Sequence, residues 1–204
     1  MASKEILEQI DQYYTGKIKQ YGATPKGVDW NGEESQYLRF EQLCKVFKEK
    51  EFSILDYGCG FGSLYKFLKN QDYSFQYSGF DISEEMINKA KLANSDGVQW
   101  FTKINPLLKY DYAIASGIFN VKLDTKEAEW LKLILDTLEQ LNQASTKGFS
   151  FNMLTSYSDK PLMKEYLYYA KPEFFFEHCK KNYAKNVALL HDYNLYEFSI
   201  IVKK

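Results

Sequence analysis

The 204-residue sequence is short of the features that mark several protein classes. Its cysteines, Cys44, Cys59 and Cys179, are odd in number and show neither metal-ligand spacing nor a Cys-x-x-Cys pair. A disulfide framework is therefore not expected, no metal is expected, and a reducing cytoplasm fits. No run of 18 uncharged apolar residues occurs, and residues 1–10 read as a polar amphipathic helix without the apolar stretch of an export signal. The expectation is a chain that neither spans a membrane nor is exported by that route. Charge of one sign is missing too: 26 basic against 27 acidic residues leave a net charge of −1. Nothing there would draw a phosphate backbone, so no nucleic-acid partner is expected. Arg39 stands alone among lysines. There is no internal repeat or low-complexity tract, and the length suits one domain, 1–204, with its own core. Aromatic residues run the other way, at 17% with 17 Tyr and 15 Phe, and some of those rings should line a site.

From Phe52 onward short apolar runs alternate with helical patterns, which predicts an α/β, Rossmann-like core over 51–204 with a mostly parallel sheet. Strands are expected at 53–57, 76–80, 98–101, 110–115 and 148–153. The helices between them carry apolar stripes at intervals of three and four: Leu64, Phe67 and Leu68; Met86, Ile87 and Ala90; Trp130, Leu133, Ile134, Leu138 and Leu141. Ser83 is placed as an N-cap, and Asp124 stands in capping-box spacing to Glu127. Two last strands, 187–190 and 197–202, are separated only by a polar turn at 191–194, so the seven-stranded sheet should end in an antiparallel hairpin. Upstream, helices at 4–14 and 33–48 with a Gly- and Pro-containing joint over 16–32 make residues 1–50 a helical lid. An aromatic insertion, 155–182, precedes the hairpin. Both additions are placed to fold over the sheet's carboxyl edge.

The most informative stretch is Ile54-Leu55-Asp56-Tyr57-Gly58-Cys59-Gly60-Phe61-Gly62-Ser63, an apolar strand running into spaced glycines and a helix. Glycines let the backbone turn sharply and approach a ligand, and a helix start presents free N–H groups. Asp81 ends the next strand, where a carboxylate reaches the edge of the sheet and can meet a ribose diol. The plain alternative is a tight turn whose glycines ease packing, with Asp81 capping the following helix. A nicotinamide dehydrogenase would show Gly-x-Gly-x-x-Gly instead of the even spacing of Gly58, Gly60 and Gly62. Asp56, two residues before the first glycine, suits a cationic amino group better than a pyrophosphate.

These residues resemble the class I S-adenosylmethionine-dependent methyltransferases, from about Ser53 to the C-terminus. The resemblance implies that Asp56, Gly58, Gly60 and Gly62 hold the methionine part of S-adenosyl-L-methionine, that Asp81 binds the ribose hydroxyls and that Ile82 lies against the adenine. An acid common after the third strand is missing; Ile104-Asn105 stands there, and Asn105 is the residue able to replace it. After the fourth strand comes Ser116-Gly117-Ile118-Phe119-Asn120 in place of the Asn/Asp-Pro-Pro-aromatic motif of the adenine- and glutamine-directed members, which argues against methylation of amino groups on DNA bases. Ser116 is expected at the cofactor; Phe119 and Asn120 are expected at the acceptor, with a buried Phe in a plain loop as the alternative. Segment 27–40 is similar to the N-terminal segment of small-molecule methyltransferases. That likeness puts Trp30, Gln36 and Arg39 over the cofactor, the arginine fork on its carboxylate, and a solvated surface salt bridge is the other reading of Arg39.

Methyl transfer from a sulfonium needs alignment more than chemistry from the protein. Tyr157, Tyr168 and Tyr169, with Trp30, are expected as aromatic walls around the acceptor. His191, at the end of a parallel strand, is expected as the general base for an acceptor hydroxyl, against the alternative of a histidine that only satisfies the hairpin backbone. The partner implied is a small-molecule acceptor, with O-methylation of a sugar or nucleotide-linked precursor favoured over N-methylation of an amine. A cofactor-binding module without catalysis is the rival class. The oligomeric state is not legible.

Overall fold

The computed structural model describes residues 2–28, 32–94 and 97–204. Seven strands form one sheet: β1 (Glu51–Tyr57), β2 (Ser74–Phe80), β3 (Gln99–Phe101), β4 (Tyr110–Ala115), β5 (Ser145–Leu154), β6 (Asn186–Leu190) and β7 (Glu197–Lys203), in the order β3-β2-β1-β4-β5-β7-β6. The pairs from β3 to β5 are parallel, and β7 runs antiparallel to both β5 and β6. Among the described residues six α-helices accompany them: α1 (Ala2–Tyr21), α2 (Glu33–Cys44), α3 (Ser63–Lys69), α4 (Glu84–Ala93), α5 (Glu127–Ala144) and α6 (Pro172–Asn182).

Alternation along each strand divides the core. On one face Leu55, Ala113, Phe149, Phe151 and Ile200 lie under Trp130, Ile134, Leu138 and Leu141 of α5 and Phe175 and Cys179 of α6. On the other, Ile54, Tyr112, Ile114 and Ile201 meet Phe40 and Leu43 of α2 and Leu64, Phe67 and Leu68 of α3. The apolar stripes read from the sequence are thus the buried faces, except that Leu133 is only half-buried. Burial of a leucine-sized side chain contributes about 1.5–3 kcal/mol, and these stripes fix the helices on the sheet.

Several boundaries differ from expectation, each for a local reason. The first helix runs through Gly16 to Tyr21 because Gly16 is exposed with open space around it, and a glycine there costs a helix only about 1 kcal/mol. Asp124 does not cap α5; that helix begins at Glu127 after Lys126 in an extended conformation, with no side-chain cap. Ser83 does cap α4, its hydroxyl accepting the Met86 N–H at 3.4 Å. Only part of the aromatic insertion lies at the carboxyl edge: its second half is α6, whose Phe175 and Cys179 pack on the face of the sheet. Its first half is tied to the loop after β4, with Lys122 and Leu123 donating to the Tyr166 carbonyl and Tyr168 to that of Asn120. The segment joining β3 to β4 contains no helix, and α1 reaches both α4 and α5.

Candidate functional site

Strand order reverses between β1 and β4, and in an open α/β sheet a ligand crevice forms at the carboxyl ends of the strands at such a point. A cavity of about 510 Å³ lies there, within the range of small-molecule sites. Its floor is the turn after β1. Gly58 and Cys59 both donate their N–H to the Phe80 carbonyl, at 2.7 and 2.9 Å, folding the turn back onto the end of β2. Gly58 has φ +80°, and a Cβ there would lie 2.2 Å from Ile118 Cγ2, so only glycine brings the loop after β4 against the turn. Gly62 has a different task. A Cβ on it would meet the Trp100 ring at 2.7 Å and Asn94 Nδ2 at 2.8 Å, so at this position the glycine eases packing, as the plain reading of the motif had it.

Two carboxylates line the floor. Asp56 is 2% exposed, and burial pushes it up to about 7, the Tyr77 O–H donated to it pulling the other way and the Asp81 charge adding to the rise. Asp81 accepts the Gly60 N–H on one oxygen and the Ser83 N–H on the other, each at 2.9 Å; burial nonetheless pushes it up to about 6. A carboxylate has about four acceptor positions, so Asp81 keeps capacity for donors inside the cavity. Buried acids with raised pKa values gain from a cation or O–H donors brought to them. Above them Ser116 Oγ is buried in the cavity wall without a hydrogen-bond partner, a state it shares, among the described residues, with Trp100 Nε1. An orphaned hydroxyl in a cavity wall is a group awaiting a ligand partner.

Of the residues singled out in the sequence, Gln36, Asp56, Gly58, Gly60, Asp81, Ile82, Ser116 and Phe119 line this cavity. Trp30 lies outside the described residues. Arg39 does not line it. Its guanidinium is buried and forked onto Glu197, Nε to Oε2 at 2.8 Å and Nη2 to Oε1 at 2.7 Å, with Nη1 donating to the Ser35 carbonyl, so the planar fork meets a carboxylate of the chain itself. Asn105 is exposed and accepts the Leu107 N–H, while its neighbours Thr102, Lys103 and Ile104 line the cavity. Asn120 is buried with Oδ1 accepting the Leu154 N–H, a bond that joins the loop after β4 to the end of β5. Tyr157 is 65% exposed and hydrogen-bonded to Glu173, Tyr168 packs against the core, and the Tyr169 hydroxyl accepts the Lys164 N–H. His191 is exposed after the edge strand β6, its ring 6.0 Å from that of Tyr157. None of Asn120, Tyr157, Tyr168, Tyr169 and His191 reaches the cavity.

The roof of the cavity lies outside every motif of the sequence. It consists of Leu7, Ile10, Asp11 and Tyr14, one face of α1, and of Leu133, Thr137 and Gln140 from α5. The spacing 7, 10, 11, 14 is helical, and the signal was the lone acid Asp11 inside an otherwise apolar face. In α5 the signal was Leu133, which belongs to the stripe yet finds the cavity in place of the core.

A sheet of this order, with a Gly-x-Gly-x-Gly turn after β1 and an acid at the end of β2, defines the class I methyltransferase architecture. Residues 32–194 match the family model described as methyltransferase domain. The chain belongs to that methyltransferase family. It is 49% identical over 158 residues to Rv1506c of Mycobacterium tuberculosis (strain ATCC 25618 / H37Rv), a protein carrying a methyltransferase name, with 75% of this chain and 93% of that protein covered. Among solved structures, the DhpI–SAH complex superposes with a TM-score of 0.69 at 14% identity, covering 97% of this chain and 96% of that one. Human N-acetylserotonin methyltransferase with SAM gives 0.60 at 13% identity, over 98% of this chain and 66% of that chain. No helix among the described residues is long and apolar enough to cross a membrane.

Proposed function

We propose that the cavity binds S-adenosylmethionine and that the chain, acting as one domain over 1–204, methylates an oxygen of a small polar metabolite, such as a sugar or nucleotide-linked precursor. The observation that carries this reading is the floor itself: a buried acid at the end of β1, a second at the end of β2, and between them a glycine turn against which Ile118 packs. The donor set fits the cofactor. Asp56 would hold its ammonium group, Asp81 its ribose hydroxyls, Ser116 Oγ a polar atom of its amino-acid part, and Ile82 one face of its adenine. When bound, the cofactor supplies a methyl group already activated on a sulfonium. The chain's own share is alignment and exclusion of water. Leu7, Ile10 and Tyr14 of α1 and Phe40 of α2 close the cavity with apolar surface, and holding two reactants in line removes most of the entropic barrier to a bimolecular transfer.

Oxygen and a small acceptor are favoured by the likeness of segment 27–40 to small-molecule methyltransferases and by the balanced charge, which leaves no basic track for a nucleic acid. DhpI, matched over nearly its whole length, has been solved with SAM and HEP, which is in keeping with a second small ligand beside a cofactor. Three buried, unpaired thiols, Cys44, Cys59 and Cys179, all pushed up by burial, support a reducing cytoplasm as the setting. The test is S-adenosylhomocysteine formation on incubation with S-adenosylmethionine and a fractionated metabolite extract. Turnover in a fraction whose product carries an O-methyl group supports the reading; an N-methyl product moves it to the amine alternative. Cofactor binding with no turnover in any fraction leaves the non-catalytic module.

A further inference from the structure

The roof carries an acid that the family motifs do not explain. Asp11 sits on α1 between Ile10 and Tyr14 and lines the cavity with them. Its charge lies close enough to Asp81 to push that carboxyl up, so the two acids face one space. A chain of hydrogen bonds fixes its place. The Met86 N–H is donated to Ser83 Oγ, Ser83 and Thr15 share a hydroxyl contact of 2.7 Å, and the Thr15 hydroxyl is donated to Asp11 Oδ1 at 2.9 Å. With the Thr15 proton committed to Asp11, Ser83 is the donor of the middle bond. The N-cap of α4, which follows directly on Asp81, is thereby strapped to the lid helix. One Asp11 oxygen has its partner in Thr15, and Oδ2 has none among the described residues.

Two carboxylates opposed across a cavity repel each other, and the arrangement becomes favourable once a ligand places donors between them. A vicinal diol does so, because each hydroxyl can donate to a different acid. We propose that Asp11 is a second ribose-binding carboxylate, delivered by α1, so that the ribose of the cofactor is gripped by Asp81 from the floor and by Asp11 from the roof. The assignment rests on the reading of the cavity as the S-adenosylmethionine site. It also gives α1 a ligand-dependent closure: the helix gains a bond when the nucleoside is in place.

The experiment compares wild type with Asp11→Asn and Thr15→Val by calorimetry, using S-adenosylhomocysteine directly and adenosine and 2′,3′-dideoxyadenosine as competitors. Wild type should bind S-adenosylhomocysteine and prefer adenosine to the dideoxy compound. Asp11→Asn should lose about tenfold in affinity for S-adenosylhomocysteine and adenosine and little for dideoxyadenosine, so that the preference shrinks. Thr15→Val, which loosens the strap but keeps the carboxylate, should weaken all three ligands by one common factor. A preference that survives intact in Asp11→Asn overturns the proposal and leaves Asp11 a residue that only positions α1. If wild type shows no affinity for S-adenosylhomocysteine, the cofactor reading falls first and the Asp11 assignment with it.

Discussion

The strands β3-β2-β1-β4 and the strands β5-β7-β6 share one sheet, and both groups end in segments rich in polar side chains. They use those side chains in opposite ways. At the carboxyl ends of β1, β2 and β4, Asp56, Asp81 and Ser116 line the cavity, and the buried Ser116 Oγ has no hydrogen-bond partner. Along β5 and β7 and in the loops that meet them, the polar groups are consumed internally. Asn152 accepts the Gly117 N–H at 2.8 Å and donates to Glu197, and Glu197 takes the Arg39 fork. Tyr193 and Ser199 share a bond of 3.0 Å, and Asn120 holds the Leu154 N–H. One half of the sheet therefore offers a site, and the other braces it. The brace reaches the site through Gly117, which lies beside Ser116 in the cavity wall.

The strongest break of this contrast is at Glu197. Removing one member of a buried ion pair leaves an uncompensated charge, at a cost of about 3–5 kcal/mol. Glu197→Ala should lose about that much in urea unfolding, whereas replacing Arg39 and Glu197 together by leucine-sized apolar residues should restore most of it. If Arg39→Lys instead keeps its stability and loses only affinity for S-adenosylmethionine, the arginine serves the ligand and the bracing role is wrong.

Next in size is a pH effect in the open half. Asp56 and Asp81 have folded pKa values of about 7 and about 6, above the usual carboxylate value of about 4. Between about pH 4 and 7 the folded protein therefore holds more protons than the unfolded chain. Their contribution to stability is complete at low pH and is lost as pH rises through the folded values. Ligand binding runs the other way, since an ammonium group pairs with the ionised form of Asp56. Affinity for S-adenosylhomocysteine should rise by about 100-fold from pH 5 to pH 8, while the ligand-free protein loses stability over the same interval. Calorimetry and urea melts at the two pH values check both signs, and Asp56→Asn should flatten the affinity curve.

The same division explains what could be read from the chain alone. Strands, apolar stripes and the final hairpin were legible because periods of two and of 3.6 record which face is buried. The floor of the cavity was legible because Asp56, Gly58, Gly60 and Asp81 are held by local backbone geometry, within a few residues of a strand end. Arg39 and Asn120 were misplaced since their partners, Glu197 at a separation of 158 residues and Leu154 at 34, are set by strand order, which no local pattern contains. The roof was missed for a related reason: nothing in residues 7–14 says that α1 will lie over the turn after β1. Aromatic content misleads as well: of the rings expected around an acceptor, Tyr157 is exposed and Tyr168 packs against the core, while many other rings of the chain gather in clusters such as Phe47, Phe52, Tyr73 and Tyr112.

A smaller change tests whether the orphaned hydroxyl belongs to the ligand. Ser116→Ala should cost about 0.5–1.5 kcal/mol of cofactor affinity, a factor of about 2–13, if its Oγ finds a partner only in the complex. Stability without ligand should be unchanged or slightly raised, because a buried hydroxyl without a partner is itself unfavourable. Equal affinity for the two proteins would turn Ser116 into a packing residue and move the polar contact to a backbone group of the same loop.

The smallest effect is expected at His191, where the two halves can be told apart most cleanly. Topology does bring this imidazole to the carboxyl edge, since β6 runs parallel to β5 by virtue of its antiparallel pairing with β7. Edge and site are not the same place, however. Three inter-strand steps, β4 to β5 to β7 to β6, at about 4.8 Å each separate its strand from β4 by about 14 Å, and the residue is exposed on the far rim. Its neighbours there are Tyr157 and Glu173, the latter held below the usual range chiefly by the Tyr157 hydroxyl, with the His191 charge a lesser cause. A positioned general base adds about 10²–10⁴ in rate, and a proton cannot be taken by a group that does not reach the reacting oxygen. Once an acceptor is in hand, His191→Ala should keep turnover within about twofold of wild type at pH 7, with unchanged cofactor affinity. A loss of about 100-fold or more with affinity intact would mean that the acceptor extends across β5 and β7 to the outer rim, and that the bracing half of the sheet takes part in the chemistry after all.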